Sequence, residues 1–176
     1  MTLLTEEYRQ LLAQKHGTGG WKDPAAGQYV DIIIKHAQEL GETRLLDYGS
    51  GGGGLKRILT ERGGYEVTEY EPSREDLMHN NTPHNYVVSI DVLEHIEPDL
   101  LDNVLDDLQR VTLKGGYFTV STRAAGQQLP DGRNAHLIIK PFEWWKEKIA
   151  ARFEIVEEDF IVSAQRGFFF VKPKAG

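Results

Sequence analysis

Cysteine is absent from this chain of 176 residues, which excludes disulfides, thiolate metal ligands and every mechanism with a cysteine nucleophile. Long apolar runs and a signal-peptide pattern are also lacking, so we expect a soluble, cytoplasmic protein with no membrane partner. Basic residues are in the minority: 20 Lys and Arg stand against 27 Asp and Glu, a formal charge of −7. Because no global positive field attracts polyanions, nucleic acid is a disfavoured partner.

The length predicts one domain over residues 1–176, with a core large enough to need no covalent staples. Within it, residues 1–23 are expected to form an N-terminal helix and a lid-like segment. Trp21 either belongs to this lid or simply packs against the domain. The oligomeric state is not encoded in any pattern that we recognise.

Apolar periodicity and turn residues predict helices and strands that alternate along the chain. The predicted helices are Thr5–Lys15, Pro24 or Ala25 to Leu40, Gly53–Arg62, Pro98 or Asp99 to about Thr112, and Pro141–Ala150. The predicted strands are Arg44–Tyr48, Tyr65–Tyr70, Tyr86–Ile90, Tyr117–Ser121, Phe153–Val162 and Gly167–Lys172. Lys114, Gly115 and Gly116 are expected to end the fourth helix. The last two strands are joined by a short link, which predicts an antiparallel hairpin. The alternation predicts an α/β fold, a three-layer Rossmann-like doubly wound sheet that is otherwise parallel.

The most informative stretch is RLLDYGSGGGGL, residues 44–55, in which an apolar strand runs directly into four glycines that open a helix. Glycine lets the backbone turn sharply and approach a ligand more closely than any Cβ would allow. The helix N-terminus that follows favours anionic groups. The string satisfies both a dinucleotide pattern and an S-adenosylmethionine pattern, so by itself it does not choose between them.

Three motifs in order resemble those of class I S-adenosylmethionine-dependent methyltransferases of the small-substrate type. They are LLDYGSGGGG, then EYEPS at the end of the second strand, then VVSIDVLEHI at the next strand. DVLEHI is the most discriminating, because dinucleotide dehydrogenases have no counterpart. The chain also has no room for the second domain that a dehydrogenase needs to hold its substrate. The tract LPDGRNAHLIIKPFEWW further resembles small methyltransferase-like proteins of bacteria and phages.

The resemblance implies S-adenosylmethionine as cofactor and assigns residues to its parts. The positions around its methionine portion are matched by Asp47, Gly49, Ser50 and Gly51, with Asp47 ordering the turn or reaching the ammonium group. Glu71 matches the acid that accepts hydrogen bonds from both ribose hydroxyls, although capping a turn beside Pro72 is the structural alternative. Asp91 is expected to border the cofactor.

The chain departs from the family pattern after the second strand. A helix and a third strand normally follow there, and that strand ends in an acid facing adenine. Only 13 residues, SREDLMHNNTPHN, are present here, too few for a crossover that needs about 10 to 12 residues before its strand. We therefore predict that the third, edge strand is missing, with adenine contacted near His84 and Asn85 or at the Ile90–Asp91 loop.

Three residues are candidates for catalysis. His95 ends the D-x-x-E-H segment and is either a general base, a substrate anchor or a packing residue. Arg133 and His136 lie in the polar tract 129–136, where Arg133 would clamp a phosphate or carboxylate and His136 would take a proton from the acceptor. The alternative is a solvated turn, which we favour for Asp131.

In-line methyl transfer requires alignment of nucleophile, methyl and sulfur, and no metal is demanded. His, Asp and Glu show no metal-site spacing, so the sequence predicts no metal. A small polar or sugar-like acceptor is favoured. The alternatives are a catalytically silent cofactor-binding partner subunit, a nucleic-acid methyltransferase and an NAD-dependent oxidoreductase.

Overall fold

A computed structural model describes residues 1–17 and 26–174, and over these ranges helices and strands alternate along the chain. The helices are α1 (Glu6–Gly17), α2 (Ala26–Leu40), α3 (Gly54–Arg62), α4 (Leu101–Val111) and α5 (Phe142–Ala150). The strands are β1 (Arg44–Tyr48), β2 (Glu66–Tyr70), β3 (His84–Ile90), β4 (Thr112–Ser121), β5 (Phe153–Ile161) and β6 (Arg166–Pro173). Two 3-10 turns, Leu93–His95 and Pro98–Leu100, separate β3 from α4. None of the described helices combines the length and apolarity needed to cross a membrane.

The strands form one sheet in the order β2-β1-β3-β4-β6-β5. Neighbouring strands from β2 to β4 are parallel, whereas β6 is antiparallel to both β4 and β5. Residues 71–83, all of them described, contain no strand, so β2 is the edge of the sheet. The predicted Rossmann-like sheet, its C-terminal antiparallel hairpin and its missing edge strand are confirmed.

Two apolar clusters cover opposite faces of the sheet and make the fold three-layered. On one face α2 and α3 pack over the sheet through buried residues such as Tyr29, Ile33 and Leu59. On the other face α4 and α5 contribute Leu105, Trp145 and their neighbours. The apolar periodicity of α2 and α4 therefore identified the helix faces that are buried. Burial of apolar surface is the dominant favourable contribution to folding.

The stop signal predicted for the fourth helix is wrong, although the predicted end at Thr112 is within one residue of the observed end. The helix ends at Val111, and residues 112–116, including Lys114, Gly115 and Gly116, lie in β4. The glycines are there because neighbours approach closely: a Cβ on Gly115 would lie 2.9 Å from a Leu40 methyl, and one on Gly116 would lie 2.7 Å from the Phe118 ring. These two glycines therefore indicate close packing within a strand and not the end of a helix.

Other predicted boundaries differ in small ways. The predicted fourth helix begins as a separate 3-10 turn at Pro98, which has no amide hydrogen to donate. Pro141 serves as the N-cap of α5 and does not belong to it. The predicted start of the second helix at Pro24, and the lid residue Trp21, lie outside the described residues.

A buried histidine on α2 leads to a prediction about acid stability. His36 is fully buried and stacks on the Phe170 ring with centroids 3.9 Å apart. Burial lowers its pKa, and the half-exposed carboxylate of Glu157, 3.4 Å from Nε2, does not offset this. The folded state thus binds this proton less readily than the unfolded state, so stability is lost as pH falls below the unfolded pKa. We expect His36→Phe to reduce the fall in Tm between pH 7 and pH 5.

Thermal unfolding of the wild type and of His36→Phe at several pH values measures this effect. His79→Gln, a change at an exposed histidine, is the matched control and should leave the slope unchanged. An equally steep fall in His36→Phe would show that His36 does not contribute to acid sensitivity.

Candidate functional site

One cavity of about 600 Å³ opens at the carboxyl ends of β1, β2, β3 and β4. This is the position at which open α/β sheets bind ligands. Its walls include Asp47, Gly49, Ser50, Gly51, Glu71 and Asp91, the six residues that the sequence associates with a cofactor. His95 and His136 also line it. The fold therefore brings together residues from four separate segments of the chain.

The glycine turn has the backbone geometry for which glycine is needed. Gly49, Gly51 and Gly53 have φ angles of 81°, 52° and 77°, in the left-handed region. A Cβ on Gly49 would also lie 2.5 Å from a methyl of Val92. The Gly49 and Ser50 amides both donate to the Tyr70 carbonyl, at 2.8 and 3.0 Å, which ties the turn to the end of β2.

Glu71 holds the rim of the turn from the neighbouring strand. Its buried carboxylate accepts the amide of Gly51 at 3.0 Å through Oε2. Its Oε1 accepts both the amide of Ser73, at 3.1 Å, and the hydroxyl of Ser73, at 2.7 Å. The Glu71 side chain therefore caps the turn and also forms part of the cavity wall.

Asp91 follows β3 in a conformation that is unusual for a residue with a side chain. Its φ is 52°, which costs about 1 kcal/mol or more outside glycine. The Thr119 hydroxyl donates to Oδ1 at 2.7 Å, and the Arg166 guanidinium lies 2.6 Å from Oδ2. Burial raises the Asp91 pKa, while Arg166 and Thr119 oppose that rise. These contacts hold a carboxylate in the cavity wall.

Glu94 and His95 come next in the chain and point to different partners. Glu94 is fully buried, and its Oε1 accepts the Ser121 amide at 2.8 Å. Burial raises its pKa well above the ordinary value, and the nearby Asp91 adds to the rise. His95 has Nδ1 at 2.7 Å from the Ala135 carbonyl, and burial lowers its pKa to about 3. His95 is therefore a neutral imidazole.

His136 is oriented by the loop that follows β4. The side chain of Asn134 bonds both the amide and the carbonyl of Ala125 and accepts the amide of His136 at 2.9 Å. The His136 Nδ1 lies 2.6 Å from the Arg123 carbonyl, and its ring meets that of His95 edge to face, with centroids 4.8 Å apart. Burial lowers the His136 pKa, so this imidazole is also neutral at pH 7.

The third catalytic candidate lies elsewhere. Arg133 is not among the described residues that line the cavity. Its guanidinium is paired with Asp131 at 2.7 Å and lies over the Tyr8 ring, 5.8 Å from the centroid. Asp131 and Gly132 form a turn in which the Gly132 amide donates to the Leu129 carbonyl, in accordance with the turn favoured for Asp131.

The N-terminal segment covers part of the cavity. Leu3, Leu4 and Leu12 contribute to its lining. The Tyr8 hydroxyl donates to the His95 carbonyl at 2.7 Å, which attaches α1 to the D-x-x-E-H segment. The described residues of this segment thus form part of the cavity wall, and the lid-like role of residues 1–23 stays a prediction.

Of the two regions suggested for adenine, one borders the cavity. Ile90 and Asp91 line it, whereas His84 and Asn85 are not among its described lining residues. His84 lies 3.0 Å from the Thr68 hydroxyl, and Asn85 donates to Glu42 at 2.9 Å. Their polar groups thus form hydrogen bonds at the amino-terminal end of β3, away from the cavity.

Two arginines in the cavity wall were missed by sequence reasoning. Arg123 and Arg166 both line the cavity. Arg123 follows the carboxyl end of β4 by two residues, and that position was a usable signal. Arg166 arrives by the antiparallel pairing of β6, which sets it opposite Ser121, and no local pattern shows that register.

The fold and the cavity are those of an α/β protein that binds a ligand at the carboxyl ends of its strands, and comparisons with known proteins show its family. The chain is similar to the 1,6-didemethyltoxoflavin-N1-methyltransferase of Burkholderia thailandensis, solved with S-adenosylhomocysteine: TM-score 0.64, 17% identity, 99% of this chain and 93% of that one. It is similar to DhpI, solved with the same ligand: TM-score 0.61, 18% identity, 97% of each chain. It is also similar to the magnesium protoporphyrin IX methyltransferase of Synechocystis: TM-score 0.60, 14% identity, 84% of this chain and 82% of that one.

At these identities the structural likeness establishes the fold. No curated protein sequence matches the chain. The sequence profile of a methyltransferase domain matches residues 5–155, so the chain belongs to the methyltransferase-domain family. At the level of this family, two predictions are confirmed: the class of enzyme, an S-adenosylmethionine-dependent methyltransferase, and its cofactor.

Proposed function

We propose that the cavity binds S-adenosylmethionine and one small polar or sugar-like acceptor, and that the methyl group passes to the acceptor by in-line displacement. The observation that carries this proposal is the common cavity of the six candidate cofactor residues with His95 and His136. Its volume of about 600 Å³ lies within the range of small-molecule sites. In such a reaction the acceptor bonds to the methyl carbon as the sulfur–methyl bond breaks, and S-adenosylhomocysteine leaves.

The glycine turn and Asp47 are assigned to the methionine portion of the cofactor. The turn lies beside the N-terminus of α3, where amide hydrogens and the helix dipole favour a carboxylate. Asp47 is a buried acid at the end of β1 in the cavity wall, suited to attract an ammonium group.

Glu71 is assigned to the ribose. A carboxylate offers about four acceptor positions, and three are used by Gly51 and Ser73 in this structure. One acceptor position on Oε2 is left for one ribose hydroxyl. The second ribose hydroxyl can bond to Oε1 in place of the Ser73 hydroxyl. Adenine is assigned to the Ile90–Asp91 loop, because those residues line the cavity.

His95 and His136 are assigned to the acceptor end of the cavity. Burial keeps both imidazoles neutral, so each can accept a hydrogen bond. Because the pKa of His95 is lowered to about 3, this imidazole is a very weak base, and we assign the proton of the acceptor to His136. The ion pair of Arg133 with Asp131 satisfies its charge outside the cavity, so we assign Arg133 no contact with the reacting atoms. Arg123 is an exposed cation among the described residues of the cavity wall.

Isothermal titration calorimetry with S-adenosylhomocysteine and with NAD tests the cofactor assignment. We expect saturable binding of the former and no heat from the latter, and the reverse result would overturn the proposal in favour of an oxidoreductase. Transfer of a radiolabelled methyl group to a panel of small polyols, sugars, amines, DNA and RNA then tests activity. Cofactor binding with transfer only to DNA or RNA would favour the nucleic-acid alternative, and binding without any transfer would favour a silent partner subunit.

A further inference from the structure

Three side chains beside the proposed acceptor position have the composition of a metal site. One carboxylate oxygen of Glu94 and one ring nitrogen each of His95 and His136 lie within 4.8 Å of one another. Ligand atoms on one cation at about 2.0–2.2 Å are separated by roughly 3 to 4.4 Å. A cation would therefore need to draw these side chains together only slightly.

Both histidines are held in the orientation and tautomer that a metal requires. The His95 Nδ1 lies 2.7 Å from the Ala135 carbonyl, and the His136 Nδ1 lies 2.6 Å from the Arg123 carbonyl. A carbonyl oxygen only accepts, so each Nδ1 carries the proton and each Nε2 carries the lone pair. Metal-ligating histidines typically donate their second ring nitrogen to a backbone carbonyl or carboxylate in this way.

Glu94 supplies an independent observation that points to a ligand. It is fully buried, and its Oε1 is satisfied by the Ser121 amide. Its Oε2 is also buried and has no hydrogen-bond partner among the described residues. A buried polar atom without a partner is costly, on the order of 1–3 kcal/mol. A cation bound by this carboxylate and the two imidazoles would supply the missing partner.

We propose that Glu94, His95 and His136 bind a divalent first-row transition-metal cation. Two imidazoles and one carboxylate are typical ligands of such ions, whereas Mg²⁺ and Ca²⁺ prefer oxygen ligands. Both carboxylate oxygens of Asp91 are already engaged, by Thr119 and Arg166, so three protein ligands remain. A second cluster in the described part of the chain consists of His36, Glu39 and Glu157, but both of its carboxylates are exposed to solvent.

The position of the site suggests what the cation would do. His95 and His136 line the same cavity as the glycine turn, so the open coordination positions would face the acceptor. A divalent cation lowers the pKa of a bound hydroxyl, so the hydroxyl proton is released to solvent and the oxygen becomes a better nucleophile. This last role rests on the proposed function and implies acceptors with a hydroxyl group. Binding of the cation itself does not depend on the proposed function.

Calorimetry with Zn²⁺ on chelator-treated, tag-free protein tests the site. We expect one Zn²⁺ per chain and a loss of affinity of at least about 10- to 100-fold in Glu94→Gln and in His136→Gln, because each removes one of three ligands. The matched control is His79→Gln, which removes an exposed histidine from outside the cavity and should bind like the wild type. With Co²⁺ as the probe, visible absorption bands should appear in the wild type and not in the two ligand variants.

Binding of S-adenosylhomocysteine, measured on the same samples, separates this inference from the proposed function and shows that the variants are folded. Cofactor binding without Zn²⁺ binding by the wild type would overturn the metal site alone. Zn²⁺ binding that is unchanged in both ligand variants would also overturn it, since the ion would then bind elsewhere. Site-dependent Zn²⁺ binding without cofactor binding would support the metal site and contradict the proposed function.

Discussion

Replacement of Glu71 by alanine is expected to weaken binding of S-adenosylhomocysteine by about 100-fold while the protein stays folded. Hydrogen bonds to a charged acceptor contribute roughly 1.5–3 kcal/mol each, and every 1.4 kcal/mol is tenfold in affinity. The variant would lose such bonds to the ribose and would also release the Gly51 amide, which Glu71 accepts at 3.0 Å. Calorimetry gives the affinity, and circular dichroism checks the fold.

Two further variants make this result specific. Glu66→Ala removes an exposed acid from the first position of the same strand and should leave the affinity unchanged. Glu71→Gln keeps one acceptor oxygen and loses the charge, so an intermediate affinity is expected. If Glu71→Ala binds the cofactor as tightly as the wild type, the ribose assignment is wrong.

The cofactor half of the site could be predicted from the sequence because its signals are local. Residues 47–51 are contiguous, and the left-handed φ angles of Gly49 and Gly51 are what a glycine-rich turn after a strand requires. Glu71 was found by its position at the end of a strand, a feature of nucleotide-binding sheets in general. The missing edge strand was also predictable, since 13 residues leave too little chain for it.

The other half of the site could not be predicted, because it depends on contacts between distant segments. Glu94 and His136 are 42 positions apart, and only the loop after β4 brings them together. The position of Arg133 depended equally on tertiary structure: Tyr8 of α1 and Asp131 hold it away from the cavity. The expectation that no metal binds was drawn from sequence spacing, which carries no information about such contacts.

Gly115 and Gly116 illustrate a different limit. Glycine after an amphipathic helix commonly indicates the end of that helix. In this protein both glycines lie in β4, where a Leu40 methyl and the Phe118 ring occupy the space that a side chain would need. The same residue type thus reports either backbone freedom or close packing, and only the tertiary structure distinguishes them.

Arg166→Met is expected to lower the free energy of unfolding by about 2 to 3 kcal/mol and Tm by roughly 5 to 10 °C at pH 7. The substitution removes the partner of Asp91, whose side chain is only 15% exposed in the cavity wall. Breaking one side of a fully buried ion pair costs about 3–5 kcal/mol, and the partial exposure of this pair reduces that figure. Thermal unfolding in the presence of a chelator measures the loss without any contribution from a bound cation.

The pH dependence of this loss tests whether a buried carboxylate is its origin. Burial already holds the Asp91 pKa above its ordinary value, and Arg166 is the strongest influence that lowers it, so Arg166→Met raises that pKa further. An acid whose folded pKa lies above its unfolded pKa stabilises the folded state as pH falls through the folded value. The deficit of Arg166→Met relative to the wild type should therefore be largest at neutral pH and shrink on acidification. In an Asp91→Asn background the same substitution should cost much less, because no carboxylate is left unpaired; additive costs would instead show that Arg166 acts through other contacts.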